Sequence, residues 1–149
     1  MGGGIFNGAT LAVSNSTLSD NGAVDGGGIY NGQNGTAKLK NSIVANNGED
    51  CSGTMTSNGY NLSSDSTCNF NGPGDMNNIN PNLGPLQNNG GPTQTQALLP
   101  GSPAIDAGNP SGCTDNTGKL LKTDQRGMPR PDKEDTGGCD MGAYESQTD

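Results

Sequence analysis

At 149 residues, with 28% hydrophobic and 3% aromatic side chains, the chain has the length of one domain but too few apolar groups to fill a helical or sandwich core. A net charge of −8 with seven Lys and Arg argues against nucleic acid and anionic membranes, which both demand clustered positive charge. No apolar run reaches membrane-spanning length.

With 26 Gly and 9 Pro, the bland reading is a disordered linker. The order of the glycines argues otherwise. Residues 2–25 read GGGIFNGATLAVSNSTLSDNGAVD and residues 26–50 read GGGIYNGQNGTAKLKNSIVANNGED. Both run Gly-Gly-Gly-Ile-aromatic-Asn-Gly, then an alternating strand, then Asn-Ser-x-aliphatic, then an Asn-Gly turn. A period in the twenties with β-like units is the mark of a β-solenoid, and the Leu ladder of a leucine-rich repeat is missing. Ile5 and Ile29 open short strands. Leu11, Val13 and Leu18, then Leu39 and Ile43, alternate with polar residues and turn one face into a narrow bore. Stacking sets Asn15 over Asn41 and Asn21 over Asn47, where amides bond along the stack and at tight turns. Met1 runs directly into Gly2-Gly3-Gly4 and reads as a truncation start, with no signal peptide.

The third coil, around residues 50–62, is degraded but keeps Met55 and a Tyr60-Asn61-Leu62 rung. The Asn/Gly/Pro-rich stretch 69–82 reads as a surface loop. Cys51, Cys68, Cys113 and Cys139 lie too far apart for zinc spacing. Two disulfides are the expectation in a secreted-looking chain. Three pairings are open; Cys51–Cys68 with Cys113–Cys139 is favoured because each pair stays within one segment.

The second half carries NPNLGPL and NGGPTQTQALLPGSPAIDAG within residues 79–108, then TDQRGMPRP at 123–131 and CDMGAYE at 139–145. In this order the motifs resemble the right-handed parallel β-helix repeat proteins of bacterial surfaces, including those with a choice-of-anchor C-terminal domain and the polymorphic outer-membrane-protein-like group. The resemblance implies an all-β, right-handed parallel β-helix, a short solenoid with an irregular C-terminal cap. It also implies a secreted or cell-surface protein in which these motifs close the solenoid near its end. Coils are expected over 1–68, last coils and loops over 69–107, and the cap over 108–149. The departure is length: about two recognisable coils precede the cap. Fold is implied far more firmly than activity.

Candidate chemistry is sparse. Asp106, Asp124, Asp140 and Glu145 lie in the C-terminal motifs with Arg126 and Arg130. Two of these carboxylates would serve as acid and base on a glycosidic bond; the competing reading has them holding an irregular cap through the arginines and backbone amides. Tyr30, Tyr60 and Tyr144 are the candidate glycan-contacting aromatics. Calcium is the one cofactor worth weighing, with Asp20, Asp25 and Asp50 at turns and Asp25 stacked near Asp50, against solvated turns as the alternative. No calcium-loop repeat is present, no His exists to activate a serine, and the GGGI motifs lack the context of a phosphate loop. Sequons at Asn15, Asn34 and Asn61 follow from Asn, Ser and Thr abundance.

The expectation is therefore a cell-surface module with a structural, adhesive or glycan-contact role, part of a larger protein and leaning away from catalysis. The alternative is a polysaccharide-active hydrolase or lyase using paired carboxylates. Its partner would be a polysaccharide or cell-surface glycan. The first coil, lacking a cap, is expected to expose Ile5, Leu11 and Val13, and either to pair with a second copy as a homodimer or to fray.

Overall fold

The computed structural model describes residues 1–133 and 138–148, and among them there is strand and turn but no helix. Nine short strands form three parallel stacks. The first holds β1 (Ile5–Asn7), β4 (Ile29–Asn31) and β7 (Cys51–Ser52). β2 (Thr10–Ser14), β5 (Thr36–Lys40) and β8 (Met55–Ser57) make the second, and β3 (Thr17–Ser19), β6 (Ile43–Ala45) and β9 (Leu62–Ser63) the third. The chain visits the three stacks in turn, three times over, in a solenoid-like arrangement with no closed barrel.

The register follows the repeat. Ile5 pairs with Ile29 and Phe6 with Tyr30; Val13 pairs with Leu39 and Leu11 with Ala37. Alternation then sends Ile29, Leu39 and Val44 into one buried cluster with Val13, Ala37, Cys51 and Met55. The Leu11, Ala37, Met55 rung alternates large and small, which lets so little apolar volume close the bore. Asn15 and Asn41 turn the corner after the second stack at φ 49° and 50°, a conformation asparagine tolerates. Asn41 Nδ2 reaches Asn15 Oδ1 at 2.9 Å, and Asn21 Nδ2 reaches Asn47 Oδ1 at 3.2 Å. A further ladder lies inside the first stack, where Asn7 Nδ2 donates to Asn31 Oδ1 at 2.7 Å.

Residues 69–82, expected as a surface loop, do more than cover the surface. Phe70 is 4% exposed and belongs to the bore cluster. Asn77 clamps it, accepting from the Phe70 amide at 2.9 Å and donating to its carbonyl at 2.8 Å. Met76 bridges Leu62 in parallel, a vestige of a fourth coil. The Cys51–Cys68 disulfide ties this plug to the third coil. The physical reason is the open end of the bore, which needs an apolar lid.

The remaining described residues do not extend the stack. β10 (Leu83–Gln87) and β11 (Thr95–Leu98) pair antiparallel, within the stretch where last coils and loops were expected. The C-terminal segment then runs back along the outer face of the third stack, where Leu98, Ala104 and Met141 pack on Ile43, Ala45 and Leu62. β6 is thus buried on both faces, Val44 in the bore and Ile43 and Ala45 under the returning chain. The return reaches the first coil: the Ala143 amide donates to Thr17 Oγ1 at 3.1 Å and Gln96 Nε2 to Asp20 at 2.8 Å. The expected end cap is a side brace. Its motifs match the outward apolar face of β6, which a solenoid exposed on that side would leave wet.

At the N-terminal edge β1, β2 and β3 each have one neighbouring strand. Val13 is nonetheless buried, and Ile5 and Leu11 are half-buried against the bore; the large apolar groups exposed in this coil are Met1, Phe6 and Val24.

Candidate functional site

The candidate acids sit on a pair of turns built to one plan. Residues 114–120 (TDNTGKL) and 123–129 (TDQRGMP) form successive tight hairpins closed by antiparallel bridges, Thr114 with Leu120 and Thr123 with Pro129. In each, the Asp amide donates across the turn, to Lys119 and to Met128, both at 2.9 Å. In each, Asp Oδ1 gathers backbone amides: Thr117 and Lys119 on Asp115, Arg126 and Met128 on Asp124. Gly118 and Gly127 complete the turns at φ 87° and 85°, which glycine accepts without strain.

Only in the second turn is the aspartate buried, and Asp124 seeds a network. Asp124 Oδ2 accepts from Arg126 Nε at 2.9 Å and from the Glu145 amide at 3.0 Å. Glu145 Oε2 accepts from Arg130 Nε at 2.6 Å and from the Asp140 amide at 3.1 Å. Asp140 takes the Asp106 amide on Oδ1 at 2.8 Å and the Ser146 amide on Oδ2 at 2.5 Å. Arg130 Nη2 donates to the carbonyls of Gly142 at 2.8 Å and Tyr144 at 3.3 Å. Burial pushes Glu145 up to about 7, although Arg130 beside it pulls down. Burial likewise pushes Asp140 up to about 6, against the opposing Ser146 and Asp106 amides. Glu145 Oε1 is buried with no hydrogen-bond partner among the described residues.

The structure thus gathers three of the four candidate acids. Asp106 is exposed and joins through its main chain alone. Both oxygens of Asp124 and of Asp140 are occupied by donors, so neither presents a free edge to a substrate.

Two grooves flank the network. One of about 460 Å³ lies between Ser14–Thr17 and the Thr123–Gln125 turn, with Arg130 at its base. The other, about 580 Å³, lies between Pro100–Ser102 and the Tyr144–Thr148 tail. In that groove the Arg126 guanidinium lies 3.6 Å from the Tyr144 ring centroid and occupies one face of the ring.

The three candidate tyrosines do not converge. Tyr60 turns at φ 60° and packs its ring against Gly74, where a Cβ would come within 2.5 Å of it. Tyr30 projects from the outer face of β4 and stacks on Phe6, ring centroids 5.5 Å apart and planes 7° from parallel. A groove of about 310 Å³ opens beside Tyr30, between residues 31–35 and 52–54. None of the described residues lining the Tyr30 or Tyr144 groove is acidic.

The calcium candidates are dispersed. Asp50 is fully buried; its Oδ1 accepts from Asn47, and its Oδ2 accepts from Ser63, Ser64 and the Asp65 amide. Asp20 accepts from Ser19 and Gln96, and Asp25 lies 3.6 Å from the N-terminal amine. The expected stacking of Asp25 near Asp50 does not form. The third coil is shorter, Cys51 aligns with Ile29, and Asp50 falls beneath Gly28. Among the described residues no three His, Cys, Asp or Glu side chains gather as a metal site.

The cysteines pair as favoured, Cys51 with Cys68 and Cys113 with Cys139. Of the sequons, Asn15 and Asn61 are buried with their amides bonded, and Asn34 is exposed. No helix among the described residues is long and apolar enough to cross a membrane.

Sequence reasoning missed the groove beside Tyr30. Its signal was the aromatic position shared by Phe6 and Tyr30 and its loss at Ser52. Compared with known families, curated proteins and solved structures, the chain shows no match.

Proposed function

We propose that the chain is a right-handed parallel β-helix module of an extracellular or cell-surface protein, related to the choice-of-anchor and polymorphic outer-membrane-protein-like group, with a structural, adhesive or glycan-contact role. The three parallel stacks and two disulfides support the fold and an oxidising compartment. The observation that carries the reading against catalysis is the fate of the acids. Asp124 and Asp140 have both oxygens filled by amides and Arg126, in a network that braces the coils. Pairing of the first coil with a second copy belongs to the same reading.

A second reading, a polysaccharide hydrolase or lyase, draws on one feature. Glu145 has a raised pKa and an oxygen without a partner among the described residues, both marks of a general acid. It is fully buried, however, which leaves no path to a glycosidic oxygen without opening the brace.

A panel of soluble polysaccharides tested together for binding and for release of reducing or unsaturated ends separates the two. Binding without turnover is the expected result. Turnover abolished by Glu145→Gln in a protein that still melts cooperatively would overturn it.

A further inference from the structure

We infer that the groove beside Tyr30 is a stacking site for one ring of a neutral polysaccharide. The inference rests on the glycan-contact reading and assigns it a place.

In the first stack the outward position after the isoleucine is Phe6 in the first coil, Tyr30 in the second and Ser52 in the third, held in register by the ladder. Phe6 covers one face of Tyr30. The column then stops, because Ser52 supplies a small polar group where a third ring would lie. The other face of Tyr30 is turned towards β7 and opens on the groove of about 310 Å³. One flat apolar wall with a few polar groups around it is the general form of a small-ligand site. A sugar ring fits such a wall with its C–H face, its hydroxyls pointing to the rim.

The rim supplies partners for hydroxyls. Gln33, Ser52 and Thr54 line the groove, and none of their side chains bonds to another group among the described residues. The contrast with the brace is sharp, since Arg126, Asp124 and Asp140 there are all committed. Charge selects the ligand class. Among the described residues no charged side chain lines the groove, and the net charge of −8 disfavours acidic polymers. Gly53, at φ 85°, sits directly against the Asn31 carbonyl and keeps the floor free of a side chain.

The test uses the whole chain and two neutral polymers, a mixed-linkage β-glucan and a galactomannan, with polygalacturonate as the acidic comparison, read by titration calorimetry. Tyr30→Phe retains the ring and Tyr30→Ala removes it. Ser52→Tyr fills the groove by adding a third ring to the column, so it blocks the site without weakening the coil. The expected result is binding of at least one neutral polymer that falls at least 10-fold in Tyr30→Ala and in Ser52→Tyr and less than 3-fold in Tyr30→Phe. Neutral-polymer binding unchanged in Ser52→Tyr overturns the site but keeps the glycan-contact reading. No binding to any of the three polymers overturns both, and preference for polygalacturonate overturns the assignment of a neutral ligand.

Discussion

The side-chain amide of Asn41 donates at 3.0 Å to the main-chain carbonyl of Asp140, 99 residues further along the chain. The same nitrogen bonds Asn15 in the coil before, and Asn41 Oδ1 accepts from the Asn109 amide at 3.2 Å. One corner residue therefore joins two coils to the brace. Asn41→Gly removes these bonds while keeping the left-handed backbone, and costs about 1–3 kcal/mol. Asn41→Ala adds about 1–2 kcal/mol of backbone strain. Urea denaturation of the two variants should rank alanine below glycine.

Asp140 and Glu145 predict an acid-favoured stability. Their values in the folded chain, about 6 and about 7, lie above the ordinary 3.8 and 4.5. The folded state binds more protons than the unfolded state between those limits, so their contribution is full below about pH 4 and is lost as pH rises through 6 and 7. The melting temperature should fall from pH 5 to pH 8, and Glu145→Gln should flatten the upper part of that slope. Asp65, where burial is outweighed by bonds from Thr67 and the Asp50 amide, shifts downward and acts at more acidic pH. An equal slope in Glu145→Gln would refute the assignment.

Arg130 is 3% exposed, and its partner Glu145 is fully buried. Arg130→Met leaves a buried carboxylate without its counter-charge, a loss of about 3–5 kcal/mol. The loss should be greater at pH 8 than at pH 5, where Glu145 carries a proton. Chemical denaturation at the two pH values measures the difference.

Phe70→Ala should cost about 3–5 kcal/mol, the range for a buried phenylalanine, because the ring closes the end of the bore. Its effect should persist when Cys51 and Cys68 are both serine, since ring and disulfide act on the same lid by different means. Removing either disulfide should cost about 3 kcal/mol by the chain-entropy argument. Denaturation with and without reductant reads the disulfide term.

The repeat made the coils legible. Ile5 over Ile29, Phe6 beside Tyr30 and Asn15 over Asn41 follow from laying two stretches of sequence together, because stacked coils impose one local environment on equivalent residues. The third coil broke the alignment by its shortening, so Asp50 was placed with Asp25 when it lies under Gly28. The brace was hidden for a different reason. Whether Met141 sits at the end of a stack or along its side depends on contacts with Ile43 that no local pattern records. The full burial of β6 was the available clue, Ile43-Val44-Ala45 being apolar throughout where its stack neighbour reads Thr17-Leu18-Ser19. The two Thr-Asp-x-x-Gly turns were written plainly at 114–118 and 123–127, but a nine-residue echo is masked by the longer glycine repeat.

The side brace also governs how the chain can reach its folded state. A bare solenoid can nucleate in one coil and add neighbours, each step closing a short loop. Here the third stack is finished only when Ala143 meets Thr17, 126 residues away. Such distant contacts slow folding, because chain entropy is lost before the contact repays it. The coils can therefore assemble early while Ile43 and Ala45 are still uncovered, and the brace zips shut last. A kinetic phase that disappears on deleting residues 108–149 would time that closure.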